Sequence, residues 1–268
     1  MRTDSGTTVS RYLLRFGVLG YLALILLVPV GFVFYRAFDN GFAHAWHAVT
    51  TPEALHALWL TLLIAAIAVP VNTVVGVILA LALVRGRFTG RGLLNAVVDL
   101  PLAISPVIVG LGLVLLYGRG GWLGGLADDG LKILFALPGM VLATMFVSMP
   151  FVVREVVPVL REIGTEQEQA AETLGGAPFQ VFRRITFPAI RGAVAYGVVL
   201  TTARAIGEFG AVSAVSGNIE GKTQTLPLYV KAQFDGFDTS GAYAASVVLA
   251  LIAICVVVSL RILQPKEQ

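Results

Sequence analysis

Long apolar stretches alternate with short polar connections along almost the whole chain. A helix needs about 20 predominantly apolar residues to cross roughly 30 Å of bilayer hydrocarbon, and six stretches reach that length. These candidate spans are residues 13–38, 55–84, 93–117, 133–160, 193–215 and 242–263. The pattern predicts an all-α integral membrane protein with one transmembrane domain over residues 13–263, a tail at 1–12 and another at 264–268.

The composition agrees with a lipid environment. Apolar residues make up 57% of the chain and charged residues 13%, and the mean hydropathy is +0.84. Soluble domains carry about 45–50% apolar and about 25% charged residues, so this composition excludes an ordinary soluble globular domain. The net charge of +3 is modest, and the positions of the basic residues between the spans explain it. We therefore predict that the lipid bilayer is a partner and that nucleic acid is not.

The distribution of Lys and Arg predicts the orientation, because cytoplasmic connections carry an excess of basic residues. Thirteen basic residues fall on the side of the N-terminus and five on the other side. The larger set is Arg2, Arg11, Arg15, Arg85, Arg87, Arg91, Arg154, Arg161, Arg183, Arg184, Arg191, Arg261 and Lys266, and the smaller set is Arg36, Arg119, Lys132, Lys222 and Lys231. Both termini and residues 161–191 are therefore expected in the cytoplasm, with residues 216–240 outside.

The cytoplasmic connection at residues 165–188 carries its own helix signals. Thr165 and Glu168 have the spacing of a capping box, which predicts the start of a short helix. Gly175 is suited to end that helix, because glycine adopts the left-handed conformation at low cost. Pro178 fits the first turn of a second helix, and Pro188 is expected to stop that helix before the fifth span.

Two short helices joined by a glycine turn form a compact knob, with the small residues Ala170 and Ala171 exposed at its bend. Such a shape suits a contact in which a helix docks into a groove of a soluble partner. An amphipathic connector lying on the membrane surface would have the same pattern. From the residues alone, both interpretations stay open.

The same connection resembles the EAA loop of ATP-binding-cassette importer permeases. The matching positions are Gln169, Ala170, Ala171, Leu174, Gly175, Phe182, Ile185 and Pro188. In that family the loop docks into the ATP-binding subunits, so the resemblance implies a dimer of such ATPase subunits as a partner. The residues to which it assigns this coupling are Glu168, Gln169, Ala170, Ala171, Leu174, Gly175, Phe182 and Pro188. The family usually has Glu at the first position, where this chain has Gln169 beside Glu168.

Residues 203–217 and 221–228 resemble sulfate/thiosulfate permeases of the CysW type, and the similarity covers most of the chain from the second span onward. Molybdate and tungstate permeases share parts of both segments, while the continuation from Ala211 to Gly217 is similar to the sulfate branch. The resemblance implies a MetI-like six-helix bundle in the bacterial inner membrane that translocates sulfate or thiosulfate. Molybdate or tungstate import is the alternative.

That resemblance also implies the other components of the transporter. A second homologous permease subunit and an extracytoplasmic sulfate-binding protein are expected beside the ATPase dimer. ATP is expected to bind to the ATPase subunits, with no cofactor in this chain.

Arg204 and Glu208 form an opposite-charge pair well inside the predicted fifth span, four residues apart and hence on one helix face. Ionisable groups in hydrocarbon cost roughly 2.5–3.5 kcal/mol each, so they usually face the bundle interior or water. The pair is expected to hold the helix in place, to lend positive potential to an anion path, or to do both. Ser213 and Ser216 are further candidates for that path, although serines in helices more often bond their own backbone.

Other classes of function have weaker support, and no catalytic or metal site is predicted. Residues 217–223 resemble a phosphate-binding loop, but three residues separate the glycines where the motif needs four. A membrane enzyme could use Glu208 or Asp99 as an acid or base, yet neither has a second catalytic group placed with it. A secondary anion transporter would also be a polytopic bundle, but it would not need the connection at 165–188.

Overall fold

The structure is a computed structural model that describes residues 5–125 and 132–263. Every regular element within these residues is a helix. The helices are α1 (Ser5–Phe38), α2 (Phe42–Val49), α3 (Pro52–Arg85), α4 (Arg91–Ala103), α5 (Pro106–Tyr117), α6 (Leu137–Glu162), α7 (Glu166–Thr173), α8 (Pro178–Val181), α9 (Phe187–Ile206), α10 (Gly210–Ser216), α11 (Leu226–Asp235) and α12 (Thr239–Leu263), with a π-helical turn at Phe182–Thr186 between α8 and α9. The all-helical fold class predicted from the sequence is confirmed.

Five helical stretches of the described residues are long and apolar enough to cross a membrane. They are Leu14–Phe38, Pro52–Arg85, Leu137–Glu162, Pro178–Ile206 and Thr239–Ser259, and α4 with α5 makes a sixth if the bent pair is one span. Helix α1 begins at Ser5, inside the predicted tail at residues 1–12. The other predicted tail, residues 264–268, lies outside the described residues.

The predicted third span, residues 93–117, is not one helix. Helices α4 and α5 meet at 111°, because Ile104 and Ser105 are extended, with ψ angles of 139° and 134°. Pro106 explains the break, since the residue before a proline is pushed out of the helical region while proline itself suits the first turn of a new helix. Gly110 then allows α5 to approach α10, where an added Cβ would lie 2.5 Å from the carbonyl oxygen of Ala211.

Pro188 does not end the second helix of the 165–188 connection, so that prediction was wrong. The helix runs without a break from Pro178 to Ile206. A proline inside a helix removes one hydrogen bond and crowds the carbonyl four residues before it. The π-helical turn widens the backbone just ahead of Pro188, and there Phe187 N–H donates to the carbonyl of Phe182, five residues earlier. The second helix of the connection and the fifth span are therefore one continuous helix.

The predicted fifth span, residues 193–215, ends earlier than expected. Helix α9 stops at Ile206, and residues 207–209 separate it from α10. The Glu208 carboxylate accepts the backbone N–H of Ala211 at 2.8 Å, which satisfies one of the donors left free at the start of α10. Gly217, with φ of 68°, takes the left-handed conformation that ends α10.

Val152 of α6 lies where both α3 and α9 cross this helix. A Cβ added to Gly76 of α3 would lie 2.7 Å from Cβ of Val152, and one added to Gly197 of α9 would lie 2.9 Å from its Cα. Small residues let helix backbones approach closely in membrane proteins. The two glycines therefore fix the crossings of the three helices.

A buried polar link joins α3 to α6 near these crossings. The Asn72 side chain is 2% exposed and donates to the carbonyl of Met145 and to the hydroxyl of Ser148, both at 2.9 Å. The Ser148 hydroxyl in turn donates to the carbonyl of Thr144 at 2.6 Å. Because a buried amide without partners is costly, this network specifies one register of α3 against α6.

The described residues divide into two compact units, one formed by those within 52–229 and from 249 onward, and the other by those before 52 together with 230–248. The first unit holds the crossings at Val152 and the 165–188 connection. In the second unit the rings of Phe32 and Tyr243 meet edge to face at 6.2 Å. Side chains of the apolar stretch of α1, such as Leu27 at 68%, are exposed in the isolated chain.

Candidate functional site

Helix α7, the first of the 165–188 connection, ends in a well-formed glycine cap. Gly175 has φ of 85°. Its N–H donates to the carbonyl of Glu172 at 2.9 Å, and the N–H of Gly176 donates to that of Ala171 at 3.0 Å. This is the Schellman arrangement, which satisfies carbonyls at the end of the helix. The predicted glycine stop is present in the structure.

The capping box predicted at the start of α7 was wrong. The Thr165 hydroxyl accepts from the side-chain amide of Gln169 at 3.1 Å. Glu168 points away from the cap toward Arg85 at the last position of α3, with Nε donating to Oε2 at 2.8 Å and Nη2 to Oε1 at 3.3 Å. The Thr186 hydroxyl of the π-helical turn donates to the same Oε1 at 2.8 Å. The Glu168 carboxylate thus pairs with the charged side chain of Arg85, whereas the local pattern predicted a hydrogen bond to the backbone at the start of the helix.

Arg85 also binds the end of α6. Its Nη1 donates to the carbonyl of Leu160 at 3.0 Å and its Nη2 to that of Gly164 at 2.5 Å. The sequence analysis missed this role of Arg85. The available signal was an arginine at the end of a span followed later by an acidic residue, and that pattern does not identify partners 83 residues apart.

The tip of the connection exposes apolar side chains. Leu174 is 88% exposed and Phe179 is 71% exposed. Among the other predicted coupling residues, Gln169, Ala170, Gly175 and Pro188 are exposed, while Glu168, Ala171 and Phe182 are partly buried. Phe182 packs against the core cluster that contains Leu160 and Ile190. Apart from Pro188, which lies beyond the π-helical turn, the predicted residues therefore divide into an exposed tip and a base that fixes the tip to the bundle.

Arg204 and Glu208 form the predicted ion pair, with Arg204 Nη1 2.5 Å from Glu208 Oε2. They do not lie on one helix face, because Glu208 follows the end of α9. The Ser213 hydroxyl donates to the carbonyl of Gly210 at 2.7 Å, and Ser216 is fully buried, with its hydroxyl accepting the N–H of Asn218 at 3.1 Å. Both serine hydroxyls thus bond local backbone.

A second ion pair inside the spans was missed. Asp99 of α4 pairs with Arg154 of α6, and both side chains are more than a third exposed. Asn95 joins them, donating to Asp99 at 3.2 Å and accepting from Arg154 at 3.5 Å. The signal was present as one acid and one base, each in an apolar run, but no local spacing pairs residues on different helices.

The segment with the second resemblance is folded against the start of α3. The backbone N–H of Leu226 donates to the Thr61 hydroxyl at 2.8 Å. The Thr223 hydroxyl donates to the carbonyl of Ser216 at 2.7 Å, and His56 Nε2 lies 3.2 Å from the Lys222 carbonyl oxygen. Residues 223–226 are all buried. Much of this sequence pattern therefore builds a fixed connection between α10 and α11.

A family model for inner membrane components of binding-protein-dependent transport systems matches residues 72–268. The chain belongs to this family. The match includes the 165–188 connection and both ion pairs of the spans, and the chain is a multi-pass membrane protein.

This permease is 49% identical over 257 residues to the sulfate transport system permease protein CysW of Synechocystis sp., covering 96% of this chain and 93% of that protein. It is 51% identical over 233 residues to CysW of Escherichia coli (strain K12), covering 87% and 80% of the two chains. It is 38% identical over 247 residues to the sulfate transport system permease protein CysT of Salmonella typhimurium, covering 92% and 89%.

Solved structures share the fold of this permease. The crystal structure of a bacterial ABC transporter that imports the acidic polysaccharide alginate matches with a TM-score of 0.80 at 18% identity, over 96% of both chains. The same kind of transporter in complex with an alginate pentasaccharide-bound periplasmic protein matches with a TM-score of 0.77 at 20% identity, over 96% of this chain and 94% of that one. The predicted MetI-like importer permease fold is confirmed.

Proposed function

We propose that this chain is the transmembrane permease subunit of an ATP-driven importer that carries sulfate or thiosulfate across the bacterial inner membrane. The observation that carries the proposal is the 165–188 connection, whose exposed apolar tip at Leu174 and Phe179 stands on a base fixed to the bundle. Exposed apolar groups on such a rigid element suit docking into a groove of a soluble partner. The relatives named as sulfate permeases, at 49% and 51% identity, support the substrate class.

The coupling follows from the continuity of the helix at Pro178–Ile206. A soluble binding protein delivers the anion from outside, and closure of two ATPase subunits in the cytoplasm displaces the docked tip. Because Phe179 of the docked tip and the fifth span lie on one helix, that displacement reaches the middle of the membrane without passing through a flexible linker. The bundle then changes access from one side to the other.

The positive-inside distribution of basic residues supports an orientation with both termini and the 165–188 connection in the cytoplasm. The proposed partners are a dimer of ATPase subunits, a second homologous permease and an extracytoplasmic sulfate-binding protein. One relative is a CysW protein and another a CysT protein, which supports a pair of related permeases. ATP binds to the ATPase subunits in this proposal, and this chain contributes no catalytic group.

The Arg204–Glu208 pair supports a weak anion path. Arg204 is 29% exposed at its side chain and supplies positive potential, while Glu208 neutralises part of that charge. Sulfate is a strongly hydrated dianion, so a fully charged site in the pore would hold it and slow its release. Selectivity is then expected in the binding protein. Molybdate and tungstate have the same shape and charge, but the relatives reported above are sulfate permeases.

The test is uptake of labelled sulfate by cells that lack their own sulfate uptake and express this chain with its transporter partners. Thiosulfate and molybdate serve as competitors, and Gly175→Asp is the loop variant. Gly175 has positive φ at the exposed tip, so a charged side chain there strains the turn and places a charge on the docking surface.

We expect sulfate uptake that thiosulfate blocks, that molybdate leaves unchanged, and that Gly175→Asp abolishes. Uptake that survives in the variant would refute docking through this loop. If molybdate inhibits sulfate uptake and the transporter prefers molybdate to sulfate, the importer belongs to the molybdate class.

A further inference from the structure

We infer that Arg85 is a positioning residue that locks the 165–188 connection to the cytoplasmic ends of α3 and α6, so that the docked tip and these helices move together. This inference rests on the proposed function, because it concerns how the displacement of the tip is transmitted. We call Arg85, Glu168 and Thr186 the cytoplasmic clamp.

The geometry of the clamp joins four separate segments. The Arg85 guanidinium at the end of α3 binds the Leu160 carbonyl in the last turn of α6 at 3.0 Å and the Gly164 carbonyl after it at 2.5 Å. It also binds Glu168 of α7 through two nitrogens. Through the Thr186 hydroxyl, at 2.8 Å, the same carboxylate reaches the π-helical turn. Only arginine presents several donors in a planar fork that can serve such a set of acceptors.

Burial makes these bonds stronger than ordinary surface ion pairs. The side chains of Arg85 and Glu168 are 21% and 15% exposed. Exposed pairs contribute little because water screens them, whereas a partly buried bidentate pair interacts through a lower effective dielectric. The Thr186 hydroxyl belongs to a residue that is 4% exposed. The clamp is therefore a rigid link rather than a fluctuating surface contact.

Helix α7 depends on this link. None of its eight residues, all of them described, is buried. An isolated helix of this length is marginal in water, and helices in proteins derive most of their stability from packing of an apolar face. Because no residue of α7 is buried, packing contributes little, and the hydrogen bonds of the Glu168 carboxylate attach this helix to α3 and to the π-helical turn between the bend at Gly164 and the cap at Gly175.

The consequence is mechanical. Without the clamp the tip keeps its exposed Leu174 and Phe179 and still docks, but α7 swings at its two glycine ends. Closure of the ATPase subunits still reaches α9 through the continuous helix at Pro178–Ile206, but it no longer moves α3 and α6 together with the tip. Loss of the clamp therefore lowers the amount of sulfate imported per ATP hydrolysed while leaving assembly intact.

The test uses the complete transporter in proteoliposomes, with the binding protein and labelled sulfate, and measures sulfate imported per ATP hydrolysed. The variants are Arg85→Gln and Glu168→Gln. Their matched controls are Arg87→Gln and Glu162→Gln, which remove the same charges from exposed neighbouring positions. Co-purification of the ATPase with each variant reports assembly.

We expect the import-to-hydrolysis ratio to fall about fivefold or more in both clamp variants, the lower end of typical coupling between sites, with the ATPase still bound. The controls keep the wild-type ratio. Arg85→Lys should not restore the ratio, because a single ammonium cannot reach the carboxylate and both carbonyls together.

A cross-link keeps the inference testable if a single variant folds poorly. Cys255 is the only cysteine of the chain, so Arg85→Cys/Glu168→Cys in a Cys255→Ser background can be bridged by a short bifunctional thiol reagent. We expect the unbridged protein to be uncoupled and the bridged protein to regain import, because the two positions move together.

Three outcomes would overturn the inference. If the import-to-hydrolysis ratio is unchanged in the clamp variants while the wild-type transporter imports sulfate normally, Arg85 has no mechanical role, and only this inference is refuted. Loss of ATPase binding in Arg85→Gln would show that Arg85 shapes the docking surface instead. Import blocked by the bridge would mean that the two positions must separate during transport. A wild-type transporter without ATP-dependent sulfate import refutes the proposed function itself.

Discussion

The carboxylate of Glu208 is almost fully buried, with its side chain 2% exposed, while the guanidinium of Arg204 that contacts it at 2.5 Å is 29% exposed. Glu208 therefore depends on the ion pair to compensate its charge more than Arg204 does. Glu208 also accepts the N–H of Ala211 and so fixes the bend between α9 and α10. A buried charge that loses its partner is costly, whereas replacing both partners by neutral groups is often tolerated.

We therefore predict that Arg204→Gln destabilises the permease more than the double variant Arg204→Gln/Glu208→Gln. The single variant leaves the Glu208 carboxylate buried without its countercharge, at a cost of about 3 kcal/mol or more. In the double variant the amide oxygen of the glutamine that replaces Glu208 still accepts the Ala211 N–H. Thermal unfolding of the purified protein in detergent measures the order, and a double variant less stable than the single one would contradict it.

Gly197→Ala should lower the melting temperature, because its new Cβ would lie 2.9 Å from Cα of Val152. Overpacking of a close crossing costs about 1–3 kcal/mol. Gly192 lies on the same helix with open space around the position of a Cβ. Gly192→Ala is thus the matched control, and it should leave the melting temperature unchanged or raise it. If both variants change the melting temperature equally, Gly197 does not lie at a close crossing with Val152.

Thr61→Val should loosen the segment from Thr223 to Leu226. The variant leaves the buried N–H of Leu226 without its acceptor, which costs about 1–3 kcal/mol. Thr73→Val is the control, because that hydroxyl bonds only the Val69 carbonyl of its own helix among the described contacts. Hydrogen exchange of residues 223–226 should accelerate in the first variant alone, and unchanged exchange there would show that Thr61 does not hold the segment.

Leu174→Asp should abolish co-purification of the ATPase subunits without changing the yield of the folded permease. Leu174 is 88% exposed, so the isolated chain loses little packing, but a charge at the tip must be desolvated on docking. Phe237→Asp changes another strongly exposed apolar residue, 91% exposed, in the predicted outward connection. It should keep the ATPase bound, and loss of binding in both variants would argue against docking through the tip.

The spans were predictable from the sequence because apolar length is a property of single segments. The breaks at Ile104–Ser105 and after Ile206 were not predicted, although Pro106 marks the first. In membrane helices a proline is compatible with a kink, a break or a continuous helix, and neighbouring helices decide which one forms. At Pro188 the sequence predicted the end of a helix, but the helix is continuous there because the π-helical turn accommodates the proline.

The candidate site was predictable only where its signals are local. The glycine cap at Gly175 depends on one residue's backbone freedom, and it is present. The partners of Glu168 lie 83 residues before it and 18 residues after it. Such pairings depend on how helices are placed in the bundle, so a local capping pattern could not reveal them. The Asp99–Arg154 pair was missed for the same reason.

The most direct test of the account is ATP-dependent accumulation of labelled sulfate in proteoliposomes that contain this permease, its partner permease and the ATPase subunits. The binding protein and sulfate are supplied on one side and ATP on the other. We predict accumulation with ATP, little without hydrolysis, and its loss in Leu174→Asp but not in Phe237→Asp. Accumulation that is independent of ATP, or that survives Leu174→Asp, would contradict the claim that this chain is a permease driven through its cytoplasmic connection.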